Sequence, residues 1–325
     1  MSETAEQDGT AYAPARGERL PWERVPARIR EAVEAHLGSP VAAAATQPGG
    51  FSPGAAVRLR LEDGRRAFAK AVGPELNPDS PDIYRSEARI AAALPASAPA
   101  PRLLASFDLD GWVALLFEDV EGHEPADPWE PGELDRVLDA LAGLAESLTP
   151  SPVDAPTIGE RMGGEFRGWR RLVAARDAGE DDLAGLDPWA RDHLDELAAR
   201  ESLWAEAAAG DTLAHCDVRG DNILLTPDRV VFVDWPWAAL AAPWADLLLM
   251  LPSVAMQGGP APAPVFDSHP VARGADPGSV TTVLTAMAGF LVRQSRQPAP
   301  PGLSTVRAFQ AAQGVHALRW LRERW

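Results

Sequence analysis

Cysteine is almost absent from this sequence: Cys216 is the only one in 325 residues. No disulfide can form within the chain, and the expected compartment is a reducing one, the cytoplasm. No apolar run approaches the roughly 18 residues that a membrane helix needs, so no membrane partner is expected. Met1 to Gly17 lacks the apolar core of a secretory signal and reads as a polar tail. Cations are outnumbered, 30 Lys plus Arg against 47 Asp plus Glu, for a net charge of -17. That sign repels nucleic acid and anionic lipid. It suits a cationic substrate, but a solvated acidic surface is the plainer reading. The most informative shortage is of lysine, since Lys70 stands alone among 29 arginines. Asparagine is nearly as scarce, with only Asn77 and Asn222. A drift that turned lysine into arginine everywhere else should have reached position 70 unless a forked guanidinium cannot replace a point-charge ammonium there. The competing account is that a single lysine must sit somewhere.

What is present suits two packed lobes. The chain is 46 % hydrophobic and longer than one ordinary core requires. We expect a tail at 1–20, an N-terminal lobe at 21–120 and a C-terminal lobe at 121–325. Val57, Leu59 and Leu61 alternate with Arg58 and Arg60 at the period of a half-buried strand. Asp63-Gly64 marks a hairpin turn, and Ala67 to Val72 returns with Phe68, Lys70 and Val72 on one face. Ser80-Pro81-Asp82 predicts a helix start with Ser80 as the cap, followed by Ile83, Glu87, Ile90 and Leu94 at helical spacing. Leu103 to Phe107 and Trp112 to Phe117 read as two more strands about the turn Asp110-Gly111. Beyond a polar joint at Glu118 to Asp127 the pattern turns helical: Leu134 to Leu148, then roughly Trp189 to Ala208, a helix from Pro243, and two last helices near 279–295 and 303–323. Residues 211–235 interrupt them with short strands at Ile223–Leu225 and Val230–Val233. The Pro-rich stretch 258–278 reads as a substrate lid or a loose loop.

The segment His215-Cys216-Asp217-Val218-Arg219-Gly220-Asp221-Asn222 has the frame H-x-D-x-x-x-x-N, and Asp234 follows twelve residues later at a strand end. Phosphoryl transfer needs a carboxylate to orient and deprotonate a hydroxyl, and hard oxygen ligands for a metal that neutralises phosphate. Asp217 suits the first task, and Asn222 and Asp234 the second. On these residues the chain resembles the aminoglycoside phosphotransferase family, the small-molecule branch of the protein-kinase-like fold, over about residues 41–255. The resemblance implies Asp217 as catalytic base, Asn222 and Asp234 as Mg²⁺ ligands, His215 as a brace of the loop and Asp246 as its anchor through backbone hydrogen bonds. It also implies a phosphate-covering loop at Gly49, Gly50 and Ser52, a phosphate-holding Lys70 with its ion-pair partner Glu87, and an adenine hinge at Glu118 to Gly122, with Glu118 and Val120 as its binding residues. Arg219 then either stabilises the transferring phosphoryl charge or is a surface arginine.

The implied fold is α+β and bilobal: an N-terminal five-stranded antiparallel sheet with one helix, and a mostly helical C-terminal lobe. The implied activity is ATP- and Mg²⁺-dependent phosphorylation of a hydroxyl on a small molecule, by a monomer or weak homodimer. An aminoglycoside or related antibiotic, which would make this a resistance enzyme, stands beside choline, homoserine or an amino sugar as acceptor. Trp235-Pro236 after Asp234 and Trp244 after Pro243 depart from the protein-kinase motifs and disfavour a protein substrate. A nucleotide-binding pseudokinase would have no need of the full set Lys70, Glu87, Asp217, Asn222 and Asp234. Trp235, Trp237 and Trp244 either line a substrate pocket or pack, with packing preferred; Glu121, Glu124, Asp127, Asp267 and Asp276 either meet an aminocyclitol or are solvated acids, with the second preferred. Cys216 has no local partner base that would make it a nucleophile.

Overall fold

The apolar alternation around Val57 builds the sheet it implies. In the computed structural model, which describes residues 19–50, 53–300 and 303–325, β1 (Val41–Thr46), β2 (Ala55–Leu61), β3 (Arg66–Val72), β4 (Leu103–Leu109) and β5 (Trp112–Phe117) form one antiparallel sheet in the order β1-β2-β3-β5-β4. Asp110 and Gly111 both have positive φ, 49° and 84°, the conformation that lets a two-residue hairpin follow the strand twist. The two faces of β3 have different work. Ala67, Ala69 and Ala71 join Val57, Leu59, Leu61 and Leu116 in one core. Val72 joins Val113, Leu115 and Phe117 in another, against which Phe68 packs, and Lys70 points to this second side.

Each face is covered by a helix, so the expected single helix is corrected to two. α1 (Ala27–Leu37) lays Ile29, Val33 and Leu37 on the alanine-rich face, each worth about 1.5–3 kcal/mol on full burial. It starts after Pro26 and ends at Gly38, whose left-handed φ of 68° lets its N–H reach the Glu34 carbonyl. α2 (Ser80–Ala93) covers the other face with Tyr84 and Ala91. Ser80 does not cap it: the Asn77 Oδ1 accepts from the N–H groups of Asp79 and Ser80, so one of the two asparagines is a helix-start residue. Of the expected tail, 1–18 lie outside the described residues. Leu20 packs on the first core, and its N–H donates to the Gly54 carbonyl at 3.3 Å.

Beyond Glu118 a single core unites α3 (Pro131–Ser147), α4 (Ile158–Met162), α5 (Gly168–Asp177), α6 (Pro188–Asp192), α7 (Leu194–Glu201), α8 (Trp204–Ala207), α9 (Ala245–Met256), α10 (Pro262–Ser268), α11 (Pro277–Ser295) and α12 (Val306–Arg324). The helix expected over 189–208 is three short pieces, broken at His193 and at Ser202-Leu203. Neither α4 nor α5 was foreseen. α5 crosses α11 where Gly168 meets Gly289; a Cβ on Gly168 would sit 1.8 Å from the Gly289 carbonyl oxygen. The buried Glu201 carboxylate receives the Trp169 and Arg170 N–H groups at the start of α5. Two ribbons complete the lobe: β6 (Thr212–Ala214) with β9 (Ala239–Ala241), and β7 (Ile223–Leu225) with β8 (Val230–Phe232). A bridge between His123 and Leu225 ties the joint to β7.

The Pro-rich stretch is neither lid nor loose loop. Proline suits a helix start, where its missing N–H would be unpaired anyway, and Pro262 and Pro277 open α10 and α11. Phe266 is buried against Trp244 and Trp320, and His269 Nε2 lies 3.0 Å from the Leu138 carbonyl. No described helix is long and apolar enough to cross a membrane.

Candidate active site

The loop from β6 to β7 is held from beneath. Asp246, buried in the first turn of α9, accepts the His215 N–H at 2.8 Å and the Cys216 N–H at 2.7 Å. Cys216 has φ 63°, a left-handed conformation that costs an L-residue about 1–2 kcal/mol and leaves its thiol buried. Burial pushes that thiol well above its usual pKa, which removes it as a nucleophile. His215 is fully buried. Its Nδ1 accepts the Asp217 N–H at 3.2 Å and its Nε2 donates to the Val233 carbonyl at 2.9 Å, an arrangement that uses the neutral ring. Burial lowers its pKa, in keeping with that form.

So supported, Asp217 faces Asn222, whose Nδ2 donates to the Asp217 carbonyl at 2.8 Å and to its Oδ2 at 3.1 Å. Arg219 Nη1 lies 3.0 Å from Asp217 Oδ1. Its Nε and Nη2 clamp both oxygens of Asp221 at 3.0 Å, and its guanidinium lies 5.7 Å from the Phe309 ring centroid. Burial raises the Asp217 pKa to about 7; Arg219 opposes the rise, while Asp221 and Asp234 add to it. A carboxyl poised there is suited to general-base work near neutral pH.

Across the cleft, Lys70 Nζ lies 2.6 Å from Glu87 Oε2 on α2 and 2.6 Å from Asp234 Oδ1 just past β8. Burial works against its ammonium, but the carboxylates of Asp234 and Glu87 outweigh it and hold the pKa above the ordinary lysine value. Burial likewise pushes Glu87 up, with Lys70 pulling it back. For Asp234 the Lys70 charge overcomes burial and lowers the pKa. The neighbouring Ser86 hydroxyl donates to the Pro236 carbonyl at 3.2 Å, so α2 braces both Lys70 and the Asp234 turn.

These groups open onto a cleft between the lobes with about 1050 Å³ of empty space. Gly49, Gly50, Lys70, Glu87, Glu118, Val120, Asn222 and Asp234 all line it; Ser52 lies outside the described residues. Among the described residues the Val120 N–H and the Glu118 carbonyl carry no hydrogen bond, which leaves a donor and an acceptor at the joint. The Val120 carbonyl is occupied by Arg58 Nη2 at 2.6 Å. Asp217 and Arg219 line a second pocket instead, walled by side chains of α4, α9, α11 and α12 and of the turn that follows α4. Trp237 lines this pocket and Trp235 the cleft, so two of the three tryptophans read as packing face functional space, whereas Trp244 is core.

The structure adds residues that sequence reasoning missed. Arg58, read as the solvent side of its strand, faces the cleft and fixes the joint. Arg19 Nε donates to the Gly49 carbonyl at 3.1 Å from the segment taken as tail. Glu124 lines the cleft, its pKa raised by burial and by Asp221. Arg58 had one available signal: it shares strand parity with cleft-lining Ala56. Arg19 had none.

Among the described residues no cluster of three or more His, Cys, Asp or Glu side chains could hold a metal by itself. The donor set nevertheless fits Mg²⁺ arriving with a nucleotide, which takes one or two protein oxygens and the rest from phosphate and water. Asn222 commits only its Nδ2, leaving Oδ1, and Asp234 is 41 % exposed and commits one oxygen to Lys70.

The model of the phosphotransferase enzyme family, APH, matches residues 48–275. No curated protein matches the chain. Among solved structures, choline kinase LicA from Streptococcus pneumoniae is 15 % identical with a TM-score of 0.58, covering 91 % of this chain and 98 % of its own. A choline/ethanolamine kinase family protein from Mesorhizobium loti is 17 % identical with a TM-score of 0.57, covering 91 % and 94 %. At such identity these establish the bilobal kinase-like fold.

Proposed function

We propose, from the premise that the chain belongs to the phosphotransferase enzyme family and is a phosphotransferase of small-molecule hydroxyls, that it uses Mg²⁺ and ATP, with Asp217 as the base. The observation that carries this reading is Lys70 bridging Glu87 and Asp234, with Asn222 joining the cleft to Asp217. When bound, Mg²⁺·ATP supplies the transferable phosphoryl group, and the metal offsets its charge. Asn222 Oδ1 and Asp234 would hold the metal, Lys70 the phosphates, and the Val120 N–H and Glu118 carbonyl the base. Gly49 and Gly50 line the place where a phosphate-covering loop acts, and Ser52 is assigned to the same loop from its sequence position. Asp217 orients the acceptor hydroxyl and takes its proton, and the freed oxygen attacks the γ-phosphorus as the bond to ADP breaks. Arg219, held 3.0 Å from Asp217, is placed to meet charge developing on the transferred group. His215 and Asp246 position the loop without touching substrate. Among the described residues a cytoplasmic home meets no spanning helix.

A coupled ADP-release assay with Mg²⁺·ATP and a panel of aminoglycosides, other antibiotics, choline, homoserine and amino sugars tests this, with Asp217→Asn as control. Acceptor-dependent release that disappears in the variant is expected. Release unaffected by the substitution would remove Asp217 from the chemistry.

A further inference from the structure

The second pocket opens beside Asp217 and Arg219, apart from the cleft. Its walls are largely apolar: Phe166, Trp237, Leu249, Met287, Leu291 and Phe309 come from five separate stretches of chain. Among the described lining residues only two carboxylates appear, Asp217 with both oxygens bonded and Glu165 with one. Asp217 is bonded to Arg219 and Asn222. Glu165 Oε2 accepts from Gln294 Nε2 at 2.7 Å, and Gln294 Oε1 in turn accepts from Arg307 Nη1 at 2.8 Å. Arg307 Nη1 also donates to Gln310 on the pocket wall at 2.9 Å. Arg293 and Arg307 both lie close enough to Glu165 to interact with its charge, two cations against one acid.

We infer that the acceptor is a largely apolar, hydroxyl-bearing molecule, and that polycationic acceptors are disfavoured. This rests on the phosphotransferase reading and narrows it. Each ammonium of a polycation brought into such a pocket must shed water, and it needs a free carboxylate to compensate. Here a single carboxylate oxygen, on exposed Glu165, is left for several ammoniums, and Arg293 and Arg307 already act on that carboxylate. An apolar ring system loses nothing polar and displaces water from Phe166, Trp237 and Phe309. The net charge of -17 therefore says little about the substrate, because the acids are not at the site. The suspected Glu121, Glu124, Asp127, Asp267 and Asp276 all lie outside this pocket.

The test pairs turnover with binding. ADP release is measured with kanamycin and choline on one side, and with erythromycin, chloramphenicol and a hydroxysteroid on the other. In parallel, the dye 1-anilinonaphthalene-8-sulfonate is titrated with the cleft filled by Mg²⁺ and a non-hydrolysable ATP analogue. The best apolar acceptor should exceed kanamycin in kcat/KM by about 100-fold. Trp237→Ala, at a half-buried wall position, should weaken dye binding and apolar-acceptor kcat/KM about tenfold, with the KM for ATP unchanged. Gln310→Glu should narrow the gap by admitting cations. Dye binding that depends on Trp237 supports the inference even if no panel member is turned over. Preferred turnover of kanamycin or choline overturns it, as does the lack of both apolar turnover and Trp237-dependent dye binding. Calorimetry with the ATP analogue separates the two levels. Absent nucleotide binding sinks the phosphotransferase reading as well, whereas intact binding with a polycation preferred sinks only the acceptor class.

Discussion

The two spaces on either side of the Asn222–Asp217 contact are built in opposite ways. The cleft between the lobes is organised by charge: Lys70 lies 2.6 Å from both Glu87 and Asp234, so the buried Lys70 and Glu87 each have a partner. The pocket beyond Asp217 is organised by shape, from apolar side chains on helices scattered along the chain. Charge networks tolerate almost no exchange, since removing one partner strands the other in a poor solvent. Apolar walls tolerate exchange of volume and outline, so one chemistry can serve different acceptors. The difference teaches where changes should be catastrophic and where they should merely retune.

The sharpest break of that contrast is at Asp217. Asp217→Asn should lower kcat by about 10²–10⁴ while the nucleotide dissociation constant stays nearly constant, measured by single-turnover kinetics and calorimetry. Next comes Asp246→Ala, which strands the buried N–H groups of His215 and Cys216. Each unpaired donor costs about 1–3 kcal/mol, so a loss of roughly 2–6 kcal/mol is expected in denaturant unfolding. Unaltered stability would show that the loop is held by something else. Lys70→Arg keeps the charge and should reduce kcat/KM for ATP about 10–100-fold, the size of one mis-set charged contact. If arginine serves equally well, the scarcity of lysine was accident.

A subtler test uses protons. Burial raises the Asp217 pKa to about 7, above the ordinary 3.8 of the unfolded chain. Between those values the folded protein binds the extra proton, so this group's contribution to stability is greatest at low pH and is lost as pH rises through about 7. Thermal melts of Asp217→Asn against the parent should therefore shift in the variant's favour from pH 5 to pH 8. The parent's kcat/KM should fall below about pH 7. A gap independent of pH would mean that Asp217 titrates normally. The smallest effect belongs to Cys216→Gly. Relief of the left-handed φ opposes the loss of a buried side chain and the greater freedom of the unfolded chain, leaving a change within about 1 kcal/mol and activity kept.

Much of the cleft was legible because its chemistry is written at fixed spacing. His215, Asp217 and Asn222 lie within eight residues on one loop, and Lys70 announced itself as the sole ammonium side chain. The hairpin turn at Asp110-Gly111 and the stripe of α2 were equally readable, since backbone sterics and burial leave few alternatives. Ser80 was misread as the cap because Asn77, three residues upstream, competes for the same N–H groups. The prolines of 258–278 were misread as loop because proline breaks a helix interior but suits its first turn.

By itself the sequence determined the sheet, the lysine–glutamate pair in prospect, the H-x-D-x-x-x-x-N loop and hence a phosphotransferase. These follow from local sterics, periodicity and the few side chains able to handle phosphate. Tertiary structure alone decided that Arg58 and Arg19 face the cleft, that Glu201 receives the start of α5, and that Phe166, Trp237 and Phe309 meet beside Asp217. Those outcomes depend on how helices distant along the chain pack against one another, and no local pattern records which apolar side chain will be left facing a pocket instead of the core.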